Sequence, residues 1–262
     1  SGGYYMETTT IMVIGSKETF LVRVVLNKLK DTGYEPVFVP YDINAINKAW
    51  EKAALLTIYM DTGDRPPSDV VNFIMDKQME DEKQIILVGD RDDNATMRIS
   101  IPDNLLYHVF ERPLDNEVFV KTVKELFGKM ESGEFRRNIL VVDDDPSYLN
   151  IVRAWLKDIY KVSMVSSGLQ AIKWLGKNKA DLILLDYEMP VTNGPQVLEM
   201  LRSDEETRSI PVIFLTGRGD KESVMSVLAL KPDGYLLKNI EKDELLEKLD
   251  LFFAHKRINE QF

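Results

Sequence analysis

Three consecutive aspartates, Asp143, Asp144 and Asp145, follow the apolar run Ile139 to Val142 in NILVVDDDPS. Carboxylates this close raise one another's pKa and oppose folding unless a cation sits among them. Further reactive groups stand at the ends of later apolar runs: Asp186 in DLILLDYEMP, Thr216 in PVIFLTGRG and Lys238 in DGYLLKN. Clustered carboxylates with a backbone carbonyl make an oxygen-rich site for Mg2+, which keeps waters and bridges to phosphate oxygens. A carboxylate can itself attack phosphorus and form an aspartyl phosphate. A hydroxyl and an ammonium then offer the phosphoryl oxygens a donor and a positive charge.

Such groups can converge only if the chain aligns the ends of its strands. Short β-branched runs at 138–142, 161–165, 181–185, 211–215 and 234–237 alternate with amphipathic stretches at 147–158, 168–177, 194–203, 220–230 and 241–255. Continuous apolar strands alternating with helices predict a parallel sheet covered on both faces. In the strand order 2-1-3-4-5 usual for such sheets, the first, third, fourth and fifth strands lie side by side, and ligands bind at their carboxyl ends. Asp143, Asp144, Asp186, Thr216 and Lys238 then share one rim.

The first half repeats the rhythm, with strands expected at 11–15, 35–39, 55–60, 84–88 and 106–110. Helical stretches follow at 17–31, 44–53, 67–80 and 115–130, with a weaker signal at 92–98. A repeat of roughly 125 residues is a tandem pair of domains, far too long for a solenoid unit. The polar linker GKMESGEFRRN separates them, giving expected domains at 8–131 and 138–257. Ser1 to Gly3, ahead of Met6, read as a cloning scar and are set aside.

Composition narrows the function classes. The chain of 262 residues has no cysteine and only two histidines, His108 and His255, which excludes thiolate metal sites and argues against histidine-ligated zinc or a Ser/His triad. Its net charge is −10, which opposes non-specific nucleic-acid binding because that needs cationic neutralisation of phosphates. No apolar run reaches the roughly 20 residues of a membrane span and no signal-peptide pattern is read, so a cytoplasmic protein is expected.

With these motifs in order, residues 138–255 resemble a receiver domain of a two-component response regulator, and the chain as a whole resembles a tandem pair of flavodoxin-like (βα)5 receivers. The resemblance implies that Asp186 is the phosphoacceptor. It implies that Asp143 and Asp144 hold Mg2+ together with Asp186 and the backbone carbonyl of Glu188. Thr216 becomes the switch hydroxyl, Tyr235 its aromatic rotamer partner, and Lys238 the phosphate-binding lysine. Met189, Pro190 and Gly194 reproduce the loop after the acceptor. Asp145 has a separate reading from its neighbour: Asp before Pro146 is a helix-start signature, with the carboxylate capping free N–H groups.

The sequence also departs from that family. Asn239 stands where a cis-proline usually follows the lysine, and because a non-proline cis bond costs about 3–4 kcal/mol, a trans peptide is expected. Glu188 and Arg218 flank the phosphoryl position and are expected to modulate its lifetime by pairing across the site. Gly217 leaves the approach to Asp186 open.

The first half keeps the scaffold and loses the acids. Gly15 and Ser16 replace the acidic pair, Val88 or Gly89 falls at the threonine position, and Arg112 of FERPL takes the place of the lysine, with Pro113 a cis-proline candidate. Asp61 is the nearest match to the acceptor, in a DTGDRPP segment whose registration is ambiguous. Residues 8–131 are therefore expected to be a pseudo-receiver acting as an adaptor or dimerisation module. The alternative is a rearranged metal site built from Asp90, Asp92 and Asp93.

The leading functional expectation is a phosphorelay switch that is not an enzyme in the usual sense. A histidine kinase or phosphotransfer protein serves as donor, output passes through protein contacts, and a homodimer through a receiver face is possible. Competing readings are an unphosphorylated scaffold and the regulatory part of a longer protein, since no output domain is read after Leu251. A dehalogenase-like phosphatase is disfavoured because its Asp-x-Asp belongs on the first strand, and a dinucleotide-binding fold lacks its G-x-G-x-x-G.

Overall fold

Five residues in a row, Thr10–Ile14, are buried along their whole length, and a strand buried on both faces has to lie inside a sheet covered by helices. The computed structural model describes residues 9–217, 225, 228 and 230–259. Two compact units divide between Lys129 and Met130.

In the first unit, β1 (Thr10–Ile14), β2 (Glu35–Val39), β3 (Leu55–Tyr59), β4 (Gln84–Gly89) and β5 (Leu106–Glu111) form a parallel sheet of order 2-1-3-4-5. Helices α1 (Phe20–Asp31), α2 (Ile43–Trp50), α3 (Ser68–Glu80), α4 (Arg91–Ser100) and α5 (Asn116–Glu131) connect and cover it. The weak helical signal near 92–98 becomes the full α4. Its buried Asn94 donates to the carbonyls of Gly89 and Phe110, which ties the helix to two strand ends. The Arg112–Pro113 peptide is cis.

The second unit repeats the plan with β6 (Asn138–Val142), β7 (Lys161–Val165), β8 (Leu182–Leu185), β9 (Val212–Thr216) and β10 (Gly234–Leu237), paired 7-6-8-9-10. Its described helices are α6 (Pro146–Leu156), α7 (Gly168–Leu175), α8 (Gly194–Ser203) and α9 (Lys242–Asn259). Alternation along β6 produces the two layers. Ile139 and Val141 pack with Leu149 and Val152 of α6 and Leu245 and Leu249 of α9. Leu140 and Val142 turn the other way, onto Ala171 of α7 and Val197 and Leu201 of α8. Trp155, Phe252 and Phe253 pack in the first layer and Trp174 in the second. Arg218 and most of the 220–230 stretch lie outside the described residues.

Candidate functional site

Parallel pairing sets the rim of the second sheet. Val142 is in register with Leu185, so the next residues, Asp143 and Asp186, emerge side by side. Leu237 is in register with Thr216, and the Lys238 N–H donates to the Thr216 carbonyl at 2.8 Å, which brings the lysine to the same edge. Its ammonium lies 2.6 Å from Asp143 Oδ2 and 3.1 Å from Asp186 Oδ2. Asp143, Asp144 and Asp186 bring one carboxylate oxygen each within 4.8 Å of one another, and among the described residues this is the one group with metal-ligand spacing.

Burial governs the electrostatics. Asp143 is 2% exposed, Asp186 5% and Thr216 1%, while Asp144 faces solvent. Loss of hydration pushes the Asp186 carboxyl up to about 6, the Asp143 charge adds to this, and Lys238 and the Glu188 backbone N–H oppose it. Burial likewise raises Asp143, against hydrogen bonds from Lys238 and from the Asp145 backbone. Desolvation works to lower Lys238, but the two aspartates outweigh it and hold the ammonium above its usual range. Two buried carboxylates share one lysine, so the rim keeps excess negative charge that a hard cation with oxygen preference would offset. The donor set fits Mg2+.

The loops around the rim are fixed locally. Asp145 is not turned to the cluster: its Oδ1 accepts from Ser147 N at 2.9 Å and Tyr148 N at 3.4 Å, and Pro146 opens α6. Asp143 Oδ1 in turn accepts from the Asp145 N–H at 2.9 Å, so one carboxylate holds both the loop and, through Oδ2, the lysine. After β8 the chain folds back over Asp186. The Gly194 N–H donates to the Tyr187 carbonyl at 2.9 Å, and a Cβ on Gly194 would stand 2.3 Å from the Asp186 carbonyl oxygen. Only glycine fits there. Asn193 and Gln196 close a capping box that starts α8 at this point.

Glu188 is exposed, and Arg218 falls outside the described residues, so the expected pairing lies beyond what the structure describes. The ring of Tyr235 is half-buried and 6.3 Å from that of Phe214, packed with the α7 and α8 layer. A Cβ added to Gly217 would meet nothing within 4 Å. The Lys238–Asn239 peptide is not cis. Sequence reasoning missed Tyr148, whose ring centroid is 4.8 Å from Lys238 Nζ. Pro146 at the helix start places residue 148 in the first turn of α6, but its partner Lys238 lies 90 residues away along the chain.

The rim of the first unit is built differently. Ile14 is in register with Ile58, so the residue at the acceptor position is Tyr59, and Asp61 lies two residues further on, where the second unit has Glu188. This corrects the expected match of Asp61 to the acceptor: the β1–β3 register puts Tyr59, inside the apolar run LLTIYM, at the Asp186 position. Gly89 takes the threonine position, and the Arg112 N–H donates to the Gly89 carbonyl at 3.1 Å as Lys238 does to Thr216. Arg112 lies 3.2 Å from Asp61, 3.9 Å from Asp90, and with its guanidinium 5.8 Å from the centre of the Tyr59 ring. Ser16 binds the Asp64 carboxylate, and Tyr41 donates to the Asp64 carbonyl at 2.8 Å, closing the DTGDRPP loop over the rim. Asp93 accepts from the Gly63 N–H at 2.8 Å and faces Arg65 at 3.7 Å. Among the described residues, Asp90, Asp92 and Asp93 do not come together with metal-ligand spacing.

Comparison with known proteins agrees with this geometry. A family model described as the response regulator receiver domain matches residues 139–250. The chemotaxis protein CheY-3 of Vibrio cholerae is 32% identical over 117 residues, 44% of this chain and 90% of that protein. The DNA-binding response regulator MtrA of Mycolicibacterium smegmatis is 32% identical over 115 residues, which span 44% of this chain and 49% of MtrA. Among solved structures, Vibrio cholerae CheY4 superimposes with a TM-score of 0.43 at 27% identity, covering 45% of this chain and 98% of that one. Through its second half, this chain belongs to the response regulator receiver family of two-component signal transduction.

Proposed function

We propose that Asp186 accepts a phosphoryl group and that the chain works as a phosphorylation switch. The single observation that carries this reading is the convergence of Asp143, Asp144, Asp186 and Lys238 at the carboxyl ends of adjacent parallel strands. An Asp186 oxygen forms a bond to phosphorus as the phosphorus–nitrogen bond of a donor's phosphohistidine breaks, and the imidazole leaves with the electron pair. Lys238 reaches the acceptor oxygen and supplies positive charge to the phosphoryl group. Thr216, buried beside it, offers the hydroxyl that follows the new charge, with Tyr235 changing its packing on Phe214. Asp143, Asp144, Asp186 and the Glu188 carbonyl would hold Mg2+, which when bound would supply positive charge to the carboxylates and to the incoming phosphoryl group. Glu188 and Arg218 are assigned a modulating role at the mouth of the site.

The donor is a histidine kinase or phosphotransfer protein, and output passes to protein partners, a second copy of this chain included. The first unit is read as a pseudo-receiver and adaptor. Support comes from Tyr59 at the acceptor position, glycine and serine in place of the acidic pair, and an arginine already engaged by Asp61 and Asp90. The test is the intact mass of the chain after incubation with acetyl phosphate and Mg2+. One adduct that is absent from Asp186→Asn supports the reading, and an adduct retained in that variant refutes it.

A further inference from the structure

We propose that Tyr148 is a positioning residue that holds Lys238 over Asp186. This rests on the reading of Asp186 as the phosphoacceptor, and it concerns what keeps the lysine aimed there. Lys238 follows a strand of only four residues, and its neighbour Leu237 is exposed. A lysine has four rotatable bonds, so its main-chain bond to Thr216 cannot fix the ammonium. Asp143 and Asp186 attract it, but both are also the oxygens that a bound cation and an incoming phosphoryl group would claim. Tyr148 is not in that competition. Its ring presents a face to the ammonium, 4.8 Å from centroid to Nζ, and its hydroxyl donates weakly to the Lys238 carbonyl at 3.5 Å. The same side chain thus touches both ends of the lysine.

The tether is insensitive to charge state in the working range. Burial pushes the Tyr148 hydroxyl up to about 12, with the charges of Asp143 and Asp186 adding to it, so the ring stays neutral. Its placement is set by the helix start: Pro146 opens α6, and Asp145 caps the Tyr148 N–H. The third aspartate of the triplet therefore contributes to the site at one remove.

The experiment pairs Tyr148→Phe, which keeps the ring, with Tyr148→Leu, which loses it. In the unphosphorylated full chain, the Lys238 side-chain methylene protons, assigned by Lys238→Arg, are expected to be shifted upfield by the ring in wild type and Phe and to return to ordinary values in Leu. Acetyl phosphate labelling is expected within about twofold of wild type in Phe and about five- to tenfold slower in Leu, the size of losing one aromatic face from a partly buried cation. In a Lys238→Ala background, Tyr148→Leu is expected to change nothing further. An unchanged methylene shift and labelling rate in Leu, or equal slowing with Lys238 absent, would overturn the proposal. A wild-type chain that is never labelled sinks the phosphoacceptor reading instead, because the methylene shifts alone still decide where Tyr148 holds the lysine.

Discussion

Asp186 carries its charge at a cost to the fold, since its carboxyl is raised from 3.8 to about 6 chiefly by burial. An acid whose folded pKa is raised binds its proton more tightly in the native state. That contribution to stability is fully present below the unfolded value and is lost as pH rises through the folded one. With metal removed by chelator, the chain is therefore expected to lose stability between about pH 4 and pH 6 from this group. At pH 7 without metal, Asp186→Asn is expected to gain about 1–3 kcal/mol in denaturant melts. Equal stability of the two proteins at pH 7 would show that Lys238 already compensates the buried charge. Saturating Mg2+ is expected to raise the wild-type midpoint by mass action and to do much less for the variant.

At the scale of elements, two loop-to-helix junctions aim the site, and each fails in its own way. A methyl on Gly194 meets the Asp186 carbonyl oxygen at 2.3 Å and a Phe214 ring carbon at 2.8 Å, and neither can retreat cheaply. Gly194→Ala is expected to cost about 2–3 kcal/mol in thermal or urea unfolding and to slow labelling of Asp186, since the Asp186 backbone itself must shift. Asp145→Ala loses the cap of α6 and is expected to cost about 1 kcal/mol. A larger loss of labelling than of stability in that variant would tie the helix start to the rim through Tyr148. The sequence made these elements legible because β-branched runs, Asp-Pro and the Asn193 to Gln196 spacing are local signals. It hid the end of β3, since Tyr59 and Met60 continue an apolar run and only strand pairing shows which one stands beside Gly15. Tyr148 was hidden for a related reason: its partner is 90 residues away, and no local pattern marks a ring that will meet a lysine.

For the whole chain, one scaffold is used twice with different residues at its rim. Both sheets have the same strand order, and both place a cation at the start of the loop after the fifth strand. In the second unit Lys238 faces two buried carboxylates that still carry excess negative charge. In the first, Arg112 lies among Asp61, Asp90 and the Tyr59 ring, and Gly15 and Ser16 follow β1 directly. The doubly wound fold was readable from the rhythm of the apolar runs, and so was the loss of the acidic pair at Gly15 and Ser16. Fold alone does not distinguish the two rims. The deciding measurement is intact mass after acetyl phosphate and Mg2+ for the wild-type chain beside Asp186→Asn. The expected result is one phosphoryl adduct in the wild type and none in the variant; a second adduct, or one that survives in Asp186→Asn, would contradict the assignment of a single phosphoacceptor.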